Sequence, residues 1–461
     1  MMKKLRKGRK YLYNNYLSEM RPKQTINLFS LTVIVVSLII GMGIFKTPAT
    51  VAAKSGTEFI FFAAWIIGGI VTLLGALIYA EIGQRLPAMG GYYKVFSYCY
   101  HPAVGFTINV LILISNAATL AVIALIGADY VSDLLFNQPS GALFNIIVAA
   151  ISVASFYFVN LSGLKTSTQL QNVLTVVKIA LVILLIATLL KGANVIPHGY
   201  NDDVIHLYNG HNALLLLLIS LVSVLFTYSG YQQAINFGSE VSSGKIMKRG
   251  IIIGVLISIF LYLAINYAYI KIIGFNEIKN ANAIGALLFE VWFGKFGAKI
   301  FDICMILSVL GYVNITLLSN PRVMFSMSED KVLPRMFQNK HHKTEALSYG
   351  LAAFSALTII ITFFGKRVDD ILSFSIFLDC IGMTGSAATL FILRKQKQGD
   401  KFVDGNLKKF TPFFTVLYII FYLFISVAVI IDKPSAALTS IVLLFVTMGL
   451  YWIFYRSSKR G

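Results

Sequence analysis

The stretch Ser37-Leu-Ile-Ile-Gly41-Met-Gly-Ile-Phe45-Lys-Thr-Pro48 decides how this chain is read. Mostly apolar residues flank it, from Ile26 to Val36 and again from Ile44 past Val51, as in a bilayer-spanning helix. Yet Gly41 and Gly43 interrupt its middle, and Pro48 follows about a turn later. Glycine costs a helix about 1 kcal/mol and proline about 3. In hydrocarbon a freed N–H or C=O without a partner costs several kcal/mol more. A break at that depth predicts backbone that lines a cavity and has something to bind. Half-helix ends in such a cavity offer bare N–H groups and a positive dipole end, which suit a carboxylate.

The surrounding chain has 461 residues, 57% of them hydrophobic and 13% charged, with a mean hydropathy of +0.76. A soluble domain carries about 25% charged residues, so this composition describes a polytopic membrane protein with the lipid bilayer as its solvent. A net charge of +19 raises nucleic acid as a partner. The basic residues argue against it: they gather at the N-terminus (Lys3 to Lys10), in alternate loops, and at Arg456, Lys459 and Arg460. That is the positive-inside pattern, not a basic face. The first apolar run has no small-residue cleavage site after it and reads as a retained helix. Cys99, Cys304 and Cys380 are scattered, without metal spacing, and read as free core thiols.

A span needs about 20 mostly apolar residues. Twelve are expected, at 27–53, 59–84, 95–131, 142–160, 168–190, 212–238, 249–273, 298–327, 346–364, 369–393, 411–431 and 435–455. The tails and alternate loops on one side hold about three times as many Lys and Arg as the other side, which predicts both termini in the cytoplasm. Lys191 to Asn212 is the longest outer loop, and Ala283–Glu290 in the next one predicts a short interfacial helix. Residues 394–410 read as a mobile cytoplasmic linker.

The sixth span breaks as the first does. Leu214 to Leu225 is nearly all apolar. Then comes Phe226-Thr-Tyr-Ser-Gly230-Tyr-Gln-Gln-Ala-Ile-Asn236-Phe-Gly238-Ser-Glu240, too polar for a lipid-facing helix and too apolar for a loop. Two interrupted helices, each heading a five-helix half, point to an inverted-repeat secondary transporter. The expected organisation is a basic tail (1–26), two five-helix repeats (27–190 and 191–393), the linker, and two last helices with a short tail (411–461).

At these residues the chain resembles the amino acid–polyamine–organocation superfamily. Gly41-Met-Gly-Ile-Phe45 with Pro48 resembles the G-S/A-G-I-F-x-x-P signature, with Met42 in place of the usual small residue. Tyr79-Ala-Glu81 through Arg85, Pro87, Gly90-Gly and Tyr93 is similar to the segment between the family's second and third helices. Arg322 through Met327, Asp330 and Pro334 resembles the pattern that follows its eighth. The resemblance implies an all-α membrane protein of twelve transmembrane helices, a LeuT-type 5+5 inverted repeat plus two. It implies amino acids or related amines as cargo, in a cell (inner or plasma) membrane.

Gly41, Met42 and Gly43 are expected to offer amides to a substrate carboxylate, with Ile44 opening the next half-helix. Close helix packing through small residues is the competing reading. Ile39, Ile40 and Phe226 are expected to turn carbonyls toward the substrate ammonium. Thr227, Tyr228, Ser229 and Gly230 complete that wall, unless the segment is only a packed aromatic kink. The resemblance implies a gate at Phe226. Lys178 lies within the fifth span, where a charge is expensive and functional by default. The resemblance implies that its ammonium stands where sodium-dependent relatives hold a cation; the alternative is snorkelling to the interface. Asp379 matches no family motif, and a proton carrier, a lysine's partner, a vestibule residue and a helix cap all stay open. Glu81 and Arg85 read as a salt bridge or inside gate, and Asn116, Asn314 and Ser319 as helix-to-helix hydrogen bonds.

All six histidines fall in loops or at helix ends, which excludes a membrane-embedded histidine relay. Neither H-E-x-x-H nor a P-loop is present, so no enzyme, metal, cofactor or ATP-driven pump is expected. The expectation is sodium-independent transport of amino acids, neutral ones first, by exchange or proton symport. A flux-free sensor, a polyamine carrier and a channel are the rivals.

Overall fold

The computed structural model describes residues 26–136, 138, 140–191, 212–279, 284–364, 368–403, 405–432 and 434–458. The expected N-terminal tail and most of the Lys191–Asn212 loop, with His198, His206 and His211, lie outside the described residues. Among the described residues everything regular is helical, and extended backbone pairs only at the isolated bridges Ile26–Val241 and Met89–Phe237.

The chain begins with α1 (Leu28–Ile39), α2 (Gly43–Ser55), α3 (Glu58–Arg85), α4 (Gly91–Cys99) and α5 (Pro102–Phe136). It continues with α6 (Ala142–Leu161), α7 (Leu164–Ala187), α8 (Ala213–Tyr228) and α9 (Gly244–Ile272). Two short helices, α10 (Phe275–Ile278) and α11 (Ile284–Phe293), precede α12 (Gly297–Glu329). The last are α13 (Ser348–Phe364), α14 (Val368–Lys395), α15 (Gly405–Asp432) and α16 (Pro434–Ser458). Among the described residues nine helices are long and apolar enough to cross a membrane, and α1 with α2 makes a tenth span bent by 41°. Ser348–Phe363 and Ala437–Trp452 are shorter apolar helices.

Polar side chains close the helix starts that meet water. Asn27 accepts from the Ser30 amide at 2.8 Å, and Thr57 and Ser243 accept from Ile60 and Ile246, each at 3.3 Å. Each satisfies an amide the helix leaves bare. Small residues set the packing. An added Cβ at Gly250 or Gly254 of α9 would lie 2.6 Å from Leu31 or Val35 of α1, so glycine brings these two helices together. In consequence α1 is enclosed, with every residue from Val33 to Ile40 buried.

Two expectations need correction. The third span, read as 95–131, is divided: α4 stops at Cys99, and the spanning helix runs from Pro102 to Phe136. Proline has no N–H to lose at a helix start, so the apolar run restarts there rather than continuing. Residues 394–410 are also not a free linker. Arg85 donates to the Gln398 carbonyl at 2.9 Å and to Asp400 at 3.0 Å. Arg394 donates to the Lys408 carbonyl at 2.7 Å. Arg394, Asp400 and Lys408 of this charged run serve as fastenings, while Lys395, Lys397, Lys401 and Lys409 are exposed. Ala283–Glu290 falls largely in α11, as its amphipathic spacing predicts.

Candidate functional site

The first break falls between Ile39 and Gly43. Ile40 still bonds back to Val36 at 2.7 Å, but its ψ of 87° leaves helical geometry. The amides of Gly43 and Ile44 then head a new helix, where the first turn has no preceding carbonyls of its own. The second break follows Tyr228. Ser229 is extended, Gly230 has φ of 110°, and the chain resumes as a 3-10 turn over Tyr231–Asn236. At Gly230 a Cβ would collide with the Leu38 carbonyl oxygen, so only glycine permits both this φ and this approach to α1. A Cβ on Gly43 would in turn stand 3.0 Å from the Thr227 methyl. The two breaks therefore approach each other closely, backbone to backbone at Gly230 and Leu38 and backbone to side chain at Gly43 and Thr227.

Their carbonyls are partly engaged. The Tyr262 hydroxyl lies 2.9 Å from the Ile39 oxygen and 3.2 Å from that of Thr227, and its single proton serves one at a time. Lys178 donates to the Ile40 oxygen at 2.6 Å. At 1% exposure Lys178 does not reach an interface. Its ammonium would be 3.6 Å from a Cβ added to Gly311 of α12, so it fills the gap between the α1 break and α12. A buried polar network lies beside it. Gln171 donates to Ser37, Asn314 donates to Gln171 at 2.8 Å, and Asn160 donates to Asn314 at 2.9 Å, which ties α1, α6, α7 and α12 together.

Between the breaks lies a cavity of about 60 Å³. One water takes about 10–15 Å³ on this measure, so the space holds about four to six waters, enough for a small amino acid. Of the residues expected at a site, Ile39, Gly41, Met42, Gly43, Phe226, Thr227, Ser229, Gly230 and Asp379 line it. Ile40, Ile44, Tyr228 and Lys178 do not: Ile40 and Lys178 hold each other, Ile44 is buried, and Tyr228 packs on Trp65 and Tyr262. Further lining comes from Ser115, Asn116 and Thr119 of α5, Gln232 and Gln233 after α8, and Tyr312 and Thr316 of α12. A sequence signal existed for some of these, since polar residues at helical spacing (116 with 119, 312 with 316) inside apolar spans mark one face. Asn116 also makes the expected helix-to-helix bond, donating to Asn320 at 2.7 Å.

Two buried ion-pair groups lie away from the cavity, near the ends of α3 and α12. Glu81 accepts from Arg85 at 2.7 Å and from both Nε and Nη2 of Arg394, at 2.8 and 2.5 Å. Glu240 takes a bidentate pair from Arg322 at 2.7 and 3.0 Å. The first links α3 to α14, and the second links the turn before α9 to α12.

The sequence pattern of a family described as amino acid permease matches residues 26–454. The serine/threonine exchanger SteT of Bacillus subtilis is 30% identical over 382 residues, covering 81% of this chain and 84% of the relative. The human large neutral amino acids transporter small subunit 2 is 27% identical over 457 residues, 93% of this chain and 81% of the relative. The human Asc-type amino acid transporter 1 is 26% identical over 460 residues, 95% and 84% respectively.

Proposed function

The chain belongs to the amino acid permease family, and from that premise we propose that it is a sodium-independent carrier of small neutral amino acids. It works by alternating access, by exchange or with a proton, as a multi-pass protein of the plasma membrane with both termini in the cytoplasm. The observation that carries the reading is the pair of breaks facing across a cavity of amino-acid size. The substrate carboxylate is assigned to the amides of Met42, Gly43 and Ile44, at the head of α2, since the Gly41 amide already donates to the Ile39 carbonyl at 2.8 Å. Its ammonium is assigned to the last α8 carbonyls, Phe226 and Thr227, because Lys178 already donates to Ile40 and the proton of Tyr262, when it serves Ile39, leaves Thr227 open. Phe226, in the cavity wall, serves as the gate.

Lys178 supports independence from sodium, since a fixed ammonium already satisfies the α1 carbonyl next to α12. The ten spans and two shorter apolar helices support a twelve-helix, LeuT-type arrangement with repeats at 27–190 and 191–393. In this scheme α1–α2, α3, α8 and α9 rock against α5, α6, α12 and α13. The Glu240–Arg322 pair joins the two groups on the cytoplasmic side and must part there.

Reconstitution into proteoliposomes tests this. Saturable uptake of labelled alanine, accelerated by internal amino acid or by a proton gradient and indifferent to sodium, is expected. Unsaturable flux, sodium dependence, or binding without flux would each overturn it.

A further inference from the structure

A second cavity, of about 480 Å³, lies on the face assigned above to the cytoplasm, between the α6–α7 turn, α12 and the loop ahead of α13. At about 10–15 Å³ per water it holds roughly thirty to fifty waters, far more than the space between the breaks. Gly163, with φ of 103°, carries the turn so close to that loop that an added Cβ would lie 2.8 Å from the Thr344 oxygen. The charge around this cavity is uneven. Arg322 and Glu240 line it but already answer each other. That leaves Lys165, Lys340 and Lys343 against Glu345. Among the described residues none of these three lysines forms an ion pair, and Lys340 alone is otherwise engaged, over the Phe325 ring at 5.3 Å.

The start of α7 belongs to the same wall. Gly163 gives this 24-residue helix no side-chain cap, so the Leu164, Lys165 and Thr166 amides lack helical acceptors and its positive end meets the cavity. A separate observation concerns Asn160, which is 3% exposed and also lines the space. Its Nδ2 donates to the Phe156 carbonyl and to Asn314, while its Oδ1 is buried with no partner among the described residues. At the rim, Phe158, a turn before Ser162, and Tyr349, two residues after Leu347, are exposed. Unpaired cations and bare amides call for an anion, and a buried acceptor calls for a donor on the same ligand. We propose that this cavity binds a phosphate group that carries a hydroxyl, its oxygens on Lys165, Lys343 and the α7 amides and its hydroxyl on Asn160. The apolar rim makes the source the headgroup of an anionic lipid, phosphatidylglycerol in chemistry, in preference to phosphate free in solution. The site rests on the carrier reading only for the face on which it lies, not for transport.

The test follows the melting temperature of the purified full-length protein in detergent during titration with dioctanoyl phosphatidylglycerol, dioctanoyl phosphatidylcholine or inorganic phosphate. Phosphatidylglycerol is expected to raise it saturably and phosphatidylcholine to leave it unchanged. The double variant Lys165→Ala, Lys343→Ala is expected to need about twenty-fivefold more phosphatidylglycerol, about fivefold for each lysine. The control Lys395→Ala, Lys409→Ala removes two exposed lysines that do not line the cavity, and is expected to titrate as the wild type does. An equal saturable shift by inorganic phosphate would uphold the phosphate site and overturn the lipid source. No saturable shift by either phosphate compound, or an equal loss in both double variants, would overturn the site. Absence of alanine uptake by the wild type would overturn the carrier and leave this shift standing.

Discussion

Replacing Lys178 with methionine removes one proton donor and leaves the stem. The lost contact is the 2.6 Å bond to the Ile40 carbonyl, made by a side chain only 1% exposed. A hydrogen bond from a charged group contributes about 1.5–3 kcal/mol, and a buried carbonyl left bare costs about 1–3 kcal/mol. Working the other way, the variant no longer buries an ammonium, whose effective desolvation penalty is itself several kcal/mol. Overall stability should therefore change little. The bent form of α1 is another matter, because the lost bond belongs to that geometry. A deficit of about 1.5–3 kcal/mol lowers its population roughly ten- to a hundredfold against alternatives. Lys178→Met is thus expected to melt within a few degrees of wild type and to transport about ten- to a hundredfold more slowly. Lys178→Arg should not restore the rate, because a planar guanidinium presents its donors in a fixed fork rather than as the single ammonium that meets the Ile40 carbonyl. Melting in detergent and initial uptake rates, both normalised to folded protein, measure these effects. Uptake by Lys178→Met within about threefold of wild type, or a fully active Lys178→Arg, would refute the reasoning.

Other substitutions follow from the same geometry. Gly230→Ala forces a side chain into φ of 110° and against the Leu38 carbonyl; a loss of at least about 1–3 kcal/mol is expected in denaturant or thermal unfolding. Tyr262→Phe removes the hydroxyl shared by the Ile39 and Thr227 oxygens. About 0.5–1.5 kcal/mol and a several-fold fall in uptake should result, read by the same assays. Glu81→Gln leaves the guanidinium groups of Arg85 and Arg394 without their buried counter-charge, and thermal melting should report a loss of about 3–5 kcal/mol. Lys408, donating to Asp400, holds that carboxyl below its ordinary value of 3.8, with Arg85 assisting. A depressed carboxyl stabilises the fold above the ordinary value and stops doing so as pH falls through the lowered one. Asp400→Asn should therefore flatten the melting-temperature profile below about pH 4, by a small amount because the group is exposed to solvent.

Much of this protein was legible in its residue order. Composition and loop charge placed it in a bilayer, since burying charge in hydrocarbon is expensive wherever it occurs. Gly41, Gly43 and Gly230 marked the two breaks, because only glycine gives up helical geometry so cheaply, and Lys178 stood out as a charge where none belongs. These inferences are local: each concerns what one segment can tolerate in lipid. The contents of the cavity were a different kind of question. Apolar spans that are hydrophobic all round do not reveal which side faces a neighbour, so the contribution of Gln233 and the company kept by Asp379 were hidden. The sequence likewise could not say that Ile39 and Ile40 were already accepting from Tyr262 and Lys178, residues over a hundred positions away. Nor could it show the 394–410 segment fastened to Arg85, because a charged run looks the same whether water or a distant guanidinium meets it. Tertiary packing alone decides which acceptors are satisfied within the chain and which are left for a ligand.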